Sequence, residues 1–281
     1  LFDKYGVVIE RVISRLQEDR GIHYSLEDIT DAIRNDHRTE NVVKDALDNR
    51  FKAAASWGIF DEDGTPISKI AARGRVNIID TSVLSAGIGG FSTKSLVIGM
   101  IALKILEARM LTRKVEEHMR LKSARSLFED EEEKRMIEKM IPMTWFIVDE
   151  AHQALPHPRE GITPATEPLV RMLREGRQPG VTLVAATQQP GKIHTDLHAQ
   201  TDLLFTHRVT ATADVESLNA IMGTYMSKNL QDYMHDLPKE RGAALILDDL
   251  NENVYAIRVR PRLSWHGGES ACALQQKEEI F

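Results

Sequence analysis

One cysteine, Cys272, stands in a chain of 281 residues, so no disulfide closes within it and the composition points to a reducing compartment. Cysteine pairs for a structural zinc are absent as well. His152 and His157 lie too far apart, with Pro156 between them, to form a helical metal pair. No nucleophile-elbow pattern marks a Ser/His/Asp hydrolase. The most apolar run, Leu96 to Leu111, is broken by Lys104, Glu107 and Arg109, which excludes a membrane span there. No secretion signal leads the chain as given, and the expected location is cytoplasmic. Basic residues are not in excess: 36 Lys and Arg stand against 42 Asp and Glu, a net charge of −6. That gives no global electrostatic case for nucleic acid and leaves a local basic channel open.

A phosphate-binding loop is also missing. Ser85 to Leu96 reads SAGIGGFSTKSL, glycine-rich and ending in Lys94-Ser95 ahead of a helical segment. The pattern GxxxxGK[ST] needs glycine where Thr93 and Ile88 stand. The second glycine lets backbone N–H groups wrap the phosphates, and a β-branched threonine resists that shape. The stretch reads instead as a loop entering a helix, with Ser92 or Thr93 as N-cap.

What is present begins with helices. LFDKYGVVIERVISRLQEDRG has helical spacing and ends at Gly21, and SLEDITDAIRND opens on a capping box of Ser25 and Asp28. NVVKDALDNRFKAAASWGIF completes a small helical module, assigned to residues 1–70. After a turn-rich connector, Arg75–Thr81 is a strand candidate and Ser95–Lys122 a long helix. LFEDEEEKRMIEKM continues as a charged helix, with Glu129 to Glu133 as a solvated face.

From Met143 strands and helices alternate. TWFIVDE, VTLVAATQ, DLLFTHRV, RGAALILDD and VYAIRVRP are strands, the last two a candidate hairpin, and Ala165–Glu175 and VESLNAIM are helices. Thr212 or Asp214 caps the second of these. The alternation predicts an α/β fold with a mainly parallel sheet over residues 71–281.

WFIVDEAH, Trp145 to His152, is the most informative stretch: a buried strand delivering two acids at its C-terminal edge, where open α/β sheets bind ligands. Asp149 is suited to hold a hydrated Mg²⁺ directly or through water, and Glu150 to orient or deprotonate a water attacking a γ-phosphate. VTLVAATQQP ends in Thr187 and Gln188, a polar tip able to contact that phosphate or water. Between these strands Arg171, Arg174 and Arg177 recur every third residue along one helical flank, as C-terminal cations or as a finger toward a neighbouring subunit. Lys192, His194 and His198 follow as a plain solvated loop or as a lining for a DNA channel.

The ordered set WFIVDEAH, REGRQPGV, LVAATQQP and DLLFTHRVTATADVESL resembles the C-terminal half of the motor domain of HerA-type ATPases, in the HerA/FtsK branch of RecA-like P-loop NTPases. The resemblance is strongest over residues 143–262, weaker over GRVNIIDTSVL and weakest over the first sixty, which it makes a helical insertion. It implies a RecA-like core, ATP and Mg²⁺, a ring that is usually hexameric, double-stranded DNA as partner and, in some members, a nuclease partner. By position, Asp149 and Glu150 match the Walker B pair and Gln188 the polar sensor. Arg174 or Arg177 matches the arginine finger acting in trans, with Arg177 preferred.

The family's phosphate loop precedes the helical insertion, so it is expected upstream of Leu1, and the chain alone is expected to hydrolyse ATP poorly or not at all. The alternative is a non-catalytic RecA-like scaffold or regulatory module. The tetrapeptide DEAH also occurs in superfamily-2 helicases, but nothing after Arg262 resembles their second domain. Arg262, Trp265 and His266 are candidates to reach a neighbouring subunit, and QQKEEIF reads as a tail.

Overall fold

The computed structural model describes residues 4–21, 23–61, 64–84, 93–123, 135, 140–209, 211–222 and 230–263. Ser92, the acidic run Glu129 to Glu133, Trp265, His266, Cys272 and the QQKEEIF tail lie outside them, as does the expected charged helix apart from Arg135 and Met140. The chain is α/β and divides into two compact units, Leu1–Pro156 with Glu160–Ala186, and His157–Arg159 with Thr187–Phe281.

The first unit opens with α1 (Lys4–Arg20), α2 (Leu26–Arg34) and α3 (Asn41–Ala55). Val8, Val12 and Leu16 recur every fourth residue along α1 and meet Ile29, Ile33, Val43 and Leu47 in a core of their own. The capping box at α2 is present: Ser25 Oγ accepts from Asp28 N–H at 3.2 Å and Asp28 Oδ2 from Ser25 N–H at 2.8 Å. Arg11 ties α1 to the turn before α3 through Asp36 and Thr39.

After α4 (Ile67–Ile70) the expected strand over Arg75–Thr81 does not form. The segment is irregular, and Val76 and Ile78 are 92% and 90% exposed. Alternating apolar residues supply a strand with a face, but a strand also needs a neighbour to take up its backbone hydrogen bonds, and this segment pairs with no described strand.

α5 (Thr93–Ser123) is the longest helix among the described residues; Thr93 is within it and so is not its N-cap. It packs on α6 (Thr166–Glu175), approaching closely at Gly99, where a Cβ would stand 2.7 Å from the carbonyl oxygen of Pro164. β1 (Thr144–Val148) and β2 (Val181–Ala185) form the expected parallel pair, in register from Thr144↔Val181 to Val148↔Ala185. α5 and α6 both pack against β2. Trp145 and Ile147 remain 73% and 67% exposed, so β1 is not the fully buried strand its sequence suggests. WFIV is apolar at every position, which conceals that only alternate residues are covered here.

The second unit is built on an antiparallel sheet of β3 (Leu203–His207), β4 (Ala243–Asp248) and β5 (Asn253–Arg258), in that order. β4 and β5 form the expected hairpin, closed by a turn that puts Glu252 at φ 51°. With α7 (Thr195–Ala199), α8 (Thr212–Met222) and α9 (Leu230–Asp236) in place, Leu218, Leu230, Met234, Leu237, Leu245 and Leu247 make the core. Thr212 and Asp214 sit in the first turn of α8 rather than at its cap. The carbonyl of Ala211 accepts from Asp214 and Val215 N–H, both at 3.1 Å, the bonding expected of a cap residue. Among the described residues no helix is long and apolar enough to cross a membrane.

Candidate functional site

β1 ends at Val148 and hands the chain directly to Asp149 and Glu150. Asp149 is exposed, and its Oδ1 accepts from the Glu150 N–H at 2.9 Å. Glu150 adopts the left-handed conformation, φ 48° and ψ 45°, which costs a residue with a Cβ about 1–2 kcal/mol. That turn redirects the chain into one turn of 3₁₀ helix, Ala151–Gln153. It is held by Ala186, just past β2: the carbonyl of Val148 accepts from Ala186 N–H at 2.9 Å, and the carbonyl of Ala186 accepts from Ala151 N–H at 2.8 Å. The strained residue is therefore bracketed by two backbone hydrogen bonds to the exit of the neighbouring strand. Glu150 Oε2 lies 3.5 Å from Nδ1 of His152, whose side chain is largely buried.

An exposed carboxylate suits a hydrated Mg²⁺, which keeps several waters and takes few protein ligands. Among the described residues no group of three or more His, Cys, Asp or Glu forms a dedicated metal cage.

The arginines sit at the other edge of the sheet. Arg174 is in the last turn of α6, exposed, while Arg171 pairs with Glu175 at 2.9 Å. Arg177 lies beyond the helix, not on the common flank that its spacing suggests, because α6 stops at Glu175 and the chain turns through Gly176–Gly180. Arg177 is exposed at the start of that turn, just ahead of β2. Asp149, Glu150, Arg174 and Arg177 all belong to the first unit.

Thr187 and Gln188 follow β2 and belong to the second unit, where Thr187 Oγ1 accepts from Gln189 N–H at 3.0 Å and Gln188 is exposed. Lys192 ends a short 3₁₀ turn and its carbonyl accepts from His157 N–H at 2.8 Å. His194 caps α7 with Nδ1 taken up by Asp196 N–H at 3.1 Å. Burial, with His157 beside it, pushes His198 below the ordinary histidine value against an opposing hydrogen bond to the Pro190 backbone.

Two features escaped the sequence reading. The left-handed Glu150 has no sequence signature, since glutamate is not a residue that favours that region. Arg109 was legible only as an interruption of an apolar run; it is 1% exposed and the largest fully buried side chain described.

No family model matches the chain, and no curated protein matches it. Among solved structures, it is similar in part to the genome packaging NTPase B204 of Sulfolobus turreted icosahedral virus 2. In complex with AMPPCP, that protein shows 18% identity over 47% of this chain and 59% of the other, with a TM-score of 0.36. Its sulfate complex gives 20% identity over 48% and 60%, with a TM-score of 0.35. The DNA-packaging ATPase B204 from Sulfolobus turreted icosahedral virus gives 18% over 46% and 58%, with a TM-score of 0.35. The chain thus spans less than two thirds of the length of these proteins.

Proposed function

We propose that this chain is the acid-and-arginine half of a RecA-like ATPase that assembles as a ring, usually six subunits, and moves double-stranded DNA. Residues 1–70 form its helical insertion and residues 71–281 its core, less the phosphate loop. The observation that carries the reading is the parallel β1–β2 pair with Asp149 and Glu150 at the C-terminal edge of β1, Glu150 held left-handed by backbone bonds to the exit of β2. Asp149 would hold Mg²⁺, directly or through water, and Glu150 would orient or deprotonate the attacking water.

The arginine reads as a group for a neighbour's site. A strand of five residues spans about 16 Å, and Arg177 lies ahead of β2 while Glu150 lies past the other end of its partner β1. A second subunit brings the two together. A nuclease partner, and translocation by loops that contact phosphates without reading sequence, complete the proposal.

The test is ATP turnover by the full-length protein with and without double-stranded DNA. Turnover that rises with DNA supports the motor. A folded, assembled full-length protein that binds partners but does not hydrolyse ATP supports the scaffold reading instead. For the chain without its phosphate loop, the expected turnover is negligible.

A further inference from the structure

α5 carries an arginine that the chemistry above does not use. Arg109 is 1% exposed, yet every part of its guanidinium has a partner. Nε donates to the carbonyl of Pro179 at 2.7 Å, Nη1 donates to the carbonyl of Ile141 at 2.7 Å, and Nη1 and Nη2 reach the Glu116 carboxylate at 3.0 and 3.5 Å. Burial works against the charge on Glu116, but hydrogen bonds and charge from Arg109, then Arg113, outweigh it and hold that carboxyl below its usual range. The buried cation is therefore paired, as a buried charge must be.

The two carbonyls it grips are not random. Ile141 lies just before β1 and Pro179 just before β2, so one planar fork spans the entry of both strands. Pro179 is also part of the turn that presents Arg177. The carbonyl of Gly176 accepts from Val181 N–H at 2.8 Å and the carbonyl of Arg177 from Gly180 N–H at 3.3 Å, with Gly180 at φ +79°. Pro179 C=O and Gly180 N–H are opposite ends of one planar peptide. Its oxygen is held by Arg109 and its N–H holds the backbone of Arg177. A rigid unit two atoms wide thus connects the buried arginine to the exposed one.

We propose that Arg109 is a positioning residue for Arg177: through the Pro179–Gly180 peptide it fixes the turn from which Arg177 reaches a neighbouring subunit. The proposal rests on the reading of Arg177 as the group donated in trans. An apolar residue would fill the space of Arg109 but leave the carbonyls of Pro179 and Ile141 without their donor. Lysine keeps the charge and loses the fork, so it is the informative substitution.

The experiment uses full-length protein carrying Arg109→Lys, alone and mixed with Glu150→Gln subunits. Alone, Arg109→Lys lowers kcat by about 10- to 100-fold with KM unchanged, since small misplacement of a catalytic group costs that much. It also speeds amide exchange at Gly180 and Val181 while leaving α1–α3 unchanged. On mixing, activity recovers. Glu150→Gln subunits present an intact Arg177 to the intact Glu150 of Arg109→Lys subunits, a rescue that general misfolding does not give. The control is Arg177→Ala mixed with Glu150→Gln. If the control recovers activity and folded Arg109→Lys does not, or if Arg109→Lys alone turns over like wild type, the positioning role is overturned. If the control itself fails to recover, the trans reading of Arg177 fails and takes this inference with it.

Discussion

Glu150 and Arg177 stand at opposite edges of the same two-stranded sheet. Glu150 follows the last paired residue of β1, whose partner is Ala185, and Arg177 precedes the first residue of β2, whose partner is Thr144. In a parallel pair those ends are a full strand apart, and the proposed function assigns the two side chains to one reaction from different subunits. Arg177→Ala in the full-length protein is then expected to lower kcat on the order of 10³-fold, the effect of removing a donated arginine, while nucleotide affinity persists. Arg174→Ala is expected to do much less. Steady-state turnover of both variants checks this; equal losses contradict the assignment.

Gly99 is required by contact rather than by conformation. Alanine in place of a mid-helix glycine gains about 1 kcal/mol of helix propensity. Here the new Cβ would stand 2.7 Å from the Pro164 carbonyl oxygen and 3.0 Å from the Ala165 Cα, both backbone atoms that cannot rotate away. Overpacking of this kind costs about 1–3 kcal/mol and outweighs the gain. Gly99→Ala is expected to lower the urea midpoint, whereas an unchanged or raised midpoint contradicts the α5–α6 contact.

The first helices should respond to their cap. Ser25 accepts from Asp28 N–H, and Ser25→Ala removes that acceptor at a cost of about 1 kcal/mol. Chemical denaturation followed by helix signal measures it. A restored value in Ser25→Asp, which caps equally well, ties the loss to the cap rather than to packing.

His198 gives the second unit a pH dependence. Its pKa is lowered in the fold, chiefly by burial and then by His157, so the unfolded chain binds the proton more readily. The stability it contributes is present above the unfolded histidine value of about 6.5 and is lost as pH falls through the lower folded value. His198→Asn is expected to flatten the loss of stability as pH falls below the ordinary histidine value of about 6.5. Thermal melts at several pH values, with an identical slope in the variant, would remove His198 from that role.

Much of this was legible in the sequence, and the exceptions have physical causes. Ser25 with Asp28 announced a helix start because a capping box is a local device, complete within four residues. WFIV and VTLVA announced adjacent strands, and the pairing of β1 with β2 follows. RVNIID failed as a strand because pairing depends on a neighbour that local pattern cannot specify. Arg177 left its helix because α6 stops at Glu175, ahead of Gly176, whose tight fit under the Val181 carbonyl leaves no room for a side chain. The left-handed Glu150 is bracketed by hydrogen bonds to Ala186, more than thirty residues away in sequence. Arg109 shows the same limit: an arginine in an apolar helix signals something buried and paired, but not which carbonyls it holds.

The most direct test of the central claim separates binding from chemistry at Glu150. Nucleotide affinity and single-turnover hydrolysis are measured on the full-length protein and its Glu150→Gln variant, which keeps size and hydrogen bonding but removes the base. The account predicts ATP bound with near wild-type affinity and hydrolysis reduced by orders of magnitude. Hydrolysis that survives in Glu150→Gln would contradict it.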